Sequence, residues 1–139
     1  MRQHISPEQL RELTQEQLQR LREWWKPQDY DAFVNANTQE VFFVGCANGN
    51  RFTTYGDDID HDKNGLIPLL SIGQMIGFLQ DMSQKHLYED LWMHTSHTPI
   101  STGGYEWEWH CGLGDYNRYS GNELCDMLWL LVKGLLPQK

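Results

Sequence analysis

Basic residues are scarce in this chain: eleven Lys and Arg stand against nineteen Asp and Glu, giving a formal net charge of −8. The few cations do not cluster, so nothing local offsets repulsion from a phosphate backbone, and direct nucleic-acid binding is disfavoured. Cysteine is also sparse. Cys46, Cys111 and Cys125 are odd in number, far apart and form no C-x-x-C pair, which argues against a disulfide framework or zinc ribbon and for buried free thiols. No apolar run approaches the roughly 18 residues of a membrane span, the N-terminus is polar rather than signal-like, and Asn-x-Ser/Thr is missing. A cytoplasmic protein that makes no membrane contact is the expectation. No G-x-S-x-G, P-loop or G-x-G-x-x-G occurs, and the fragment Gly112-Leu113-Gly114 leads into Asp115, which repels phosphate. No catalytic or cofactor-binding residue is therefore nominated, and the chain is not expected to be an enzyme.

Aromatic surface, by contrast, is abundant. Six Trp, six Tyr and five Phe can anchor a core, each ring removing roughly 150–250 Å² from water on burial, or leave an adhesive surface. The length suits one domain, residues 1–139, with a helical N-terminal segment at 6–26.

Two capping-box signatures follow one another, Ser6-Pro7-Glu8-Gln9 and Thr14-Gln15-Glu16-Gln17, and Leu10, Leu13, Leu18, Leu21, Trp24 and Trp25 keep a helical stripe through both. A short helix from Pro7 and a firmer one from Gln15 are expected, ended by Lys26-Pro27. Tyr30 to Val34 and Glu40 to Val44 read as a β-hairpin, and Arg51 to Tyr55 as a third strand before a polar loop from Gly56 to Gly65. Ser71, with Gln74 as its box partner, caps a helix from Ile72 to His86 striped by Ile72, Met75, Ile76, Leu79 and Met82. Leu87 to His94 fits either a helix extension or a strand. Ser96 to Gly104 reads as a connection, whereas Tyr105 to Cys111 alternates strictly, with Tyr105, Trp107, Trp109 and Cys111 on one face and Glu106, Glu108 and His110 on the other. Leu91 to Thr95 is its natural antiparallel partner. After a polar loop from Gly112 to Gly121, Asn122 caps a last helix that buries Leu124, Cys125, Leu128, Leu131, Val132 and Leu135. The fold class that results is α+β, a mainly antiparallel sheet packed against helices in two or three layers.

Asp60-His61-Asp62-Lys63-Asn64-Gly65 places oxygen ligands at positions 1, 3 and 5 and glycine at 6, as a calcium loop does. Ser71 stands where the bidentate Glu belongs and no entering helix precedes, so the EF-hand fails; Asp60, Asp62 and Asn64 remain candidate ligands of a looser calcium site. A turn made of turn-forming residues accounts for the same pattern. Glu106, Glu108 and His110, with His94 and His97 opposite, would gather donors for a transition metal, although a wet sheet face carries charged residues by default. His110 and Cys111 point to opposite faces, so they make no thiol–imidazole pair. Trp24 and Trp25, adjacent on a helix, and Trp92 are the candidates for an interaction surface, Trp107 and Trp109 gathering with Trp92 near the sheet and leaving indole surface exposed, with core filling as the competing fate of each.

The segments Leu21 to Gln28, Pro68 to Met75 and Glu123 to Trp129, taken together, resemble small phage and prophage proteins. The order of central helix, Trp-rich strand and C-terminal helix is similar to that of the phage α-β-α sandwich domains, which have no assigned activity. The likeness covers about half the chain, leaves out Tyr55 to Gly65, and implies the fold without assigning a role to any residue. The functional expectation is a non-catalytic module that binds a protein partner or itself. Its rivals are calcium binding at Asp60, Asp62 and Asn64, and an acidic DNA mimic that occupies a host nucleic-acid-binding protein.

Overall fold

A computed structural model describes residues 2–28, 30–35, 39–44, 52–53, 65–86, 91–114 and 117–137. They fall into two compact units, one of residues 4–71 with 136–139 and one of residues 72–135 with 1–3.

The first unit opens with α1 (Pro7–Leu10) and α2 (Gln15–Trp24), each launched by a complete capping box. The Ser6 N–H donates to Gln9 Oε1 at 2.9 Å while the Gln9 N–H donates to Ser6 Oγ at 3.2 Å; Thr14 and Gln17 repeat the exchange at 2.9 and 3.1 Å. Backbone donors that a helix start leaves without partners are thus satisfied. The same exchange explains Gln17, the one buried polar residue among those described: its amide oxygen serves its own cap. α2 ends where Trp25 turns extended ahead of Lys26-Pro27. Asp31 ties down the exit, its Oδ2 accepting from the Trp25 indole N–H at 3.0 Å and from the Gln28 N–H at 2.9 Å.

β1 (Ala32–Asn35) and β2 (Val41–Val44) form the expected antiparallel hairpin, with Phe33 opposite Phe42 and Val34 opposite Val41. The two-residue β3 (Phe52–Thr53) lies parallel to β2, and β4 (Leu66–Pro68) pairs antiparallel with β1, so the order is β3-β2-β1-β4. Pro68 sits on an edge strand, the place in a sheet where a missing N–H is tolerated. Phe33 stacks on Phe42 with centroids 5.7 Å apart and tilts against Trp25 at 6.1 Å. These rings, with Val44, Trp24 and Leu66, form a core on one face of the sheet.

The second unit runs α3 (Ile72–His86), β5 (Leu91–Pro99), β6 (Tyr105–Leu113), β7 (Asn117–Gly121) and α4 (Leu124–Leu135). The three strands are an antiparallel meander in chain order, α3 and α4 pack on one another, α4 also meets β6 and β7, and α3 meets β5. α3 buries Met75, Phe78 and Leu79, so its stripe is turned slightly from the Ile72–Met82 line, and α4 buries Trp129 beside the expected Leu124, Cys125, Leu128, Leu131 and Val132. Arg2 pairs with Asp126, and its N–H donates to Glu123 Oε1 at 3.0 Å.

The α+β class with mainly antiparallel sheets against helices is therefore what the chain adopts, but with two sheets where the sequence pattern suggests one. Strands adjacent in the chain pair antiparallel in β1–β2, β5–β6 and β6–β7, the usual outcome when connections are short, whereas β4 pairs with β1. Ser96 to Pro99, expected as a connection, continues β5, and Asn117 to Gly121, expected as loop, is β7. In both places ladder pairing to β6 outweighs the polar composition. Among the described residues no helix is long and apolar enough to cross a membrane.

Candidate interaction surface

β5 and β6 pair along nine residues each, from Leu91 opposite Leu113 to Pro99 opposite Tyr105. The reversal at the tip is held by the Gly103 N–H donating to the Ile100 carbonyl at 3.0 Å. Gly103 and Gly104 adopt φ of 93° and 87°, which L side chains rarely reach, so the tip depends on glycine. Burial then falls in steps along β6: Cys111 to Leu113 are buried, Glu108 to His110 half-buried, Tyr105 to Trp107 exposed. The helices thus cover the root of the hairpin and leave its outer half to solvent.

On one face of that outer half His97 lies between two aromatic rings, meeting Tyr105 edge-on at 4.9 Å and Trp107 at 5.0 Å. Tyr105 is 61% exposed and Trp107 62%, and Met93 on the same face is exposed as well. A monomer spends little of its surface on large exposed rings unless they meet something. The other face carries a ladder of flat groups. The Arg118 guanidinium lies over the Trp92 ring at 5.7 Å, Trp92 stacks on His94 at 5.4 Å, and His94 on His110 at 4.8 Å. Gly112 separates Trp92 from Arg118 in register, so no side chain stands between them. His110 is tied to both neighbouring strands, with Nε2 2.7 Å from Ser96 Oγ and Nδ1 2.8 Å from Ser120 Oγ.

The three tryptophans nominated from sequence meet different fates. Trp25 is 1% exposed and fills the core of its unit, so its nomination as a surface residue is corrected: the hairpin strand β1 and the Asp31 carboxylate claim both its ring and its N–H. Trp24 is half-buried against the same core. Trp92 is half-buried, its indole N–H donating to the Gly114 carbonyl at 2.7 Å. Tyr105 was outside the expected surface, and Trp107 entered it only with the Trp-rich strand as a whole. The signal for them was the Gly103-Gly104 turn, which places both rings at a hairpin tip beyond the reach of a helix.

Asp60, Asp62 and Asn64 lie outside the described residues. His94 and His110 do face one another across the ladder, as the strand pairing requires, yet their rings stack face to face and both His110 nitrogens are engaged by serine hydroxyls. Among the described residues no group of three His, Cys, Asp or Glu is placed to hold a metal. Burial pushes the Cys111 and Cys125 thiols up to about 11, which keeps them protonated and poor nucleophiles. No family model, curated protein or solved structure matches the chain.

Proposed function

We propose that the protein is a non-catalytic binding module that self-associates, two copies joining the outer edges of β5 into one continuous sheet. The observation that carries this reading is the makeup of that edge. β5 is a nine-residue edge strand, Leu-Trp-Met-His-Thr-Ser-His-Thr-Pro, without one Asp, Glu, Lys or Arg, in a chain of formal charge −8. Exposed edges are normally blunted by charge, an internal proline or a bulge, and here only Pro99 at the end serves. Two acidic copies repel one another wherever carboxylates meet, so the uncharged edge is the place of least repulsion.

A two-fold axis through Thr95 gives an antiparallel pair in which Met93 faces His97 of the second copy and no like charges oppose. The exposed rings of Tyr105 and Trp107 then form part of a doubled aromatic face. Such an edge-to-edge junction is small, below roughly 1,200 Å², so a dissociation constant of about a micromolar or weaker is expected.

Sedimentation equilibrium over a range of about 1 µM to 1 mM tests it. Wild type should move from monomer to dimer, more readily in high salt as charge repulsion is screened. Thr95→Lys, an exposed position, would set two ammonium groups against each other across the axis and should remain monomeric. A wild type that stays monomeric throughout, or a Thr95→Lys variant that dimerises equally well, would remove the proposal.

A further inference from the structure

The strands of the second unit divide their side chains between two faces, and the unbroken register of β5, β6 and β7 assigns every residue to one of them. One face holds every second residue of Leu91–Pro99, Tyr105–Leu113 and Asn117–Gly121, and among these strand positions there is no Asp, Glu, Lys or Arg. Glu106, Glu108 and Arg118 all stand on the other face. In a chain of formal charge −8, the first face is suited to a ligand that is uncharged where it makes contact.

On the outer half of that face the rings do not lie flat. Tyr105 and Trp107 are two residues apart on β6, so their backbone origins are separated by about 7 Å. His97, the register partner of Trp107, meets Tyr105 with 86° between ring planes and Trp107 with 45°, so no two of the three rings are coplanar. The surface is therefore a notch rather than a platform, with Tyr105 and Trp107 as its sides and His97 at its β5 end. A separation of about 7 Å is twice the roughly 3.5 Å contact distance between carbon atoms, the width that admits one small ring.

We infer that this notch takes a proline-rich segment of a partner protein in the polyproline II conformation, with basic residues flanking the prolines. Proline presents a compact apolar ring and no N–H, so it strands no donor against an aromatic surface. Its chain is already extended and ordered, which lowers the entropy cost of docking in an aromatic groove. Basic flanks answer the overall charge of the chain. A sugar is the rival neutral ligand, but its hydroxyls call for planar polar side chains, and the outer half of this face carries no carboxylate, amide or guanidinium. The notch works through side chains of β6 and His97 and needs no pairing of β5 edges.

Fluorescence anisotropy of a labelled octaproline with an arginine at each end, titrated with the full chain, tests it. A control peptide of the same charge has glycine and serine in place of the prolines, and cellohexaose is offered as a neutral glycan competitor. The proline peptide should bind saturably, the control at least about tenfold more weakly, and cellohexaose should not displace the peptide. Tyr105→Ala and Trp107→Ala, both at exposed positions, should each weaken binding about thirtyfold, the loss expected of an interface anchor. Both should keep the wild-type thermal midpoint and sedimentation. Undetectable peptide binding, equal binding of the two peptides, displacement by cellohexaose, or a Trp107→Ala variant that binds like wild type would each overturn the assignment. Peptide binding by a chain that sediments only as monomer would uphold this site and remove the paired edge alone.

Discussion

Trp25→Phe and Trp129→Phe remove the same atoms from two indoles that are equally buried, at 1% exposure each. They differ in what the N–H meets. Trp25 Nε1 donates to the Asp31 carboxylate at 3.0 Å, whereas Trp129 Nε1, on α4, is buried with no hydrogen-bond partner. The lost ring volume costs both variants a similar amount, roughly 1–3 kcal/mol for a partial truncation of a core aromatic. Trp25→Phe also forfeits a hydrogen bond to a charged acceptor, about 1.5–3 kcal/mol. Asp31 is half-buried and keeps the Gln28 N–H, so the lower end of that range applies. Trp129→Phe instead relieves a buried donor that has no partner, worth about 1–3 kcal/mol in its favour. The expected losses are therefore about 2.5–4.5 kcal/mol for Trp25→Phe and about zero, within roughly 2 kcal/mol either way, for Trp129→Phe.

Urea unfolding followed by far-UV circular dichroism measures both. The substitutions fall in different compact units, so a curve with two transitions is compared unit by unit against the matching wild-type midpoint. Asp31→Asn adds the third corner of a double-mutant cycle with Trp25→Phe, for which coupling of about 1–2 kcal/mol is expected. Equal losses in the two Phe variants would show that ring bulk alone decides. A vanishing Trp25–Asp31 coupling would refute the claim that the indole–carboxylate bond fastens the exit of α2.

Ser6→Ala and Thr14→Ala each remove a capping hydroxyl and should cost about 1 kcal/mol; Thr14→Ala should cost more in thermal unfolding, because it disturbs the buried Gln17. The Cys111 and Cys125 thiols are raised from 9.0 to about 11 in the folded chain, so their contribution to stability is complete below pH 9 and is lost as the pH climbs towards 11. A urea midpoint that rises across that window would contradict their burial. The same two thiols should resist iodoacetamide in the native chain and react on unfolding, and rapid native labelling of either, read by mass spectrometry, would have the same force. Calcium at Asp60, Asp62 and Asn64 is checked by the melting midpoint with calcium and then with chelator; an unmoved midpoint removes that ligand set.

Local rules were legible and long-range coverage was not. The two boxes at Ser6 and Thr14 could be read because capping is settled within four residues, and the structure reproduces both bond by bond. The β1–β2 hairpin and the helix from Ile72 to His86 were readable for the same reason, their signals being short-range patterns. Trp25 misled because helical adjacency does not say which of two neighbouring indoles faces the core; only the Asp31 acceptor six residues on decides it. The strict alternation from Tyr105 to Cys111 misled in another way. It promised burial across the strand, one face in and one face out, whereas burial runs along it, from buried Cys111–Leu113 to exposed Tyr105–Trp107. Where a helix stops short of a nine-residue hairpin, faces lose their meaning at the tip, and Tyr105 and Trp107 are exposed although they share a face with buried Cys111. An alternating strand thus states which residues share a side. Whether that side is core or contact surface depends on the length of the element packed against it. In this chain the same alternation that builds a core at Cys111 leaves an open aromatic face at Trp107.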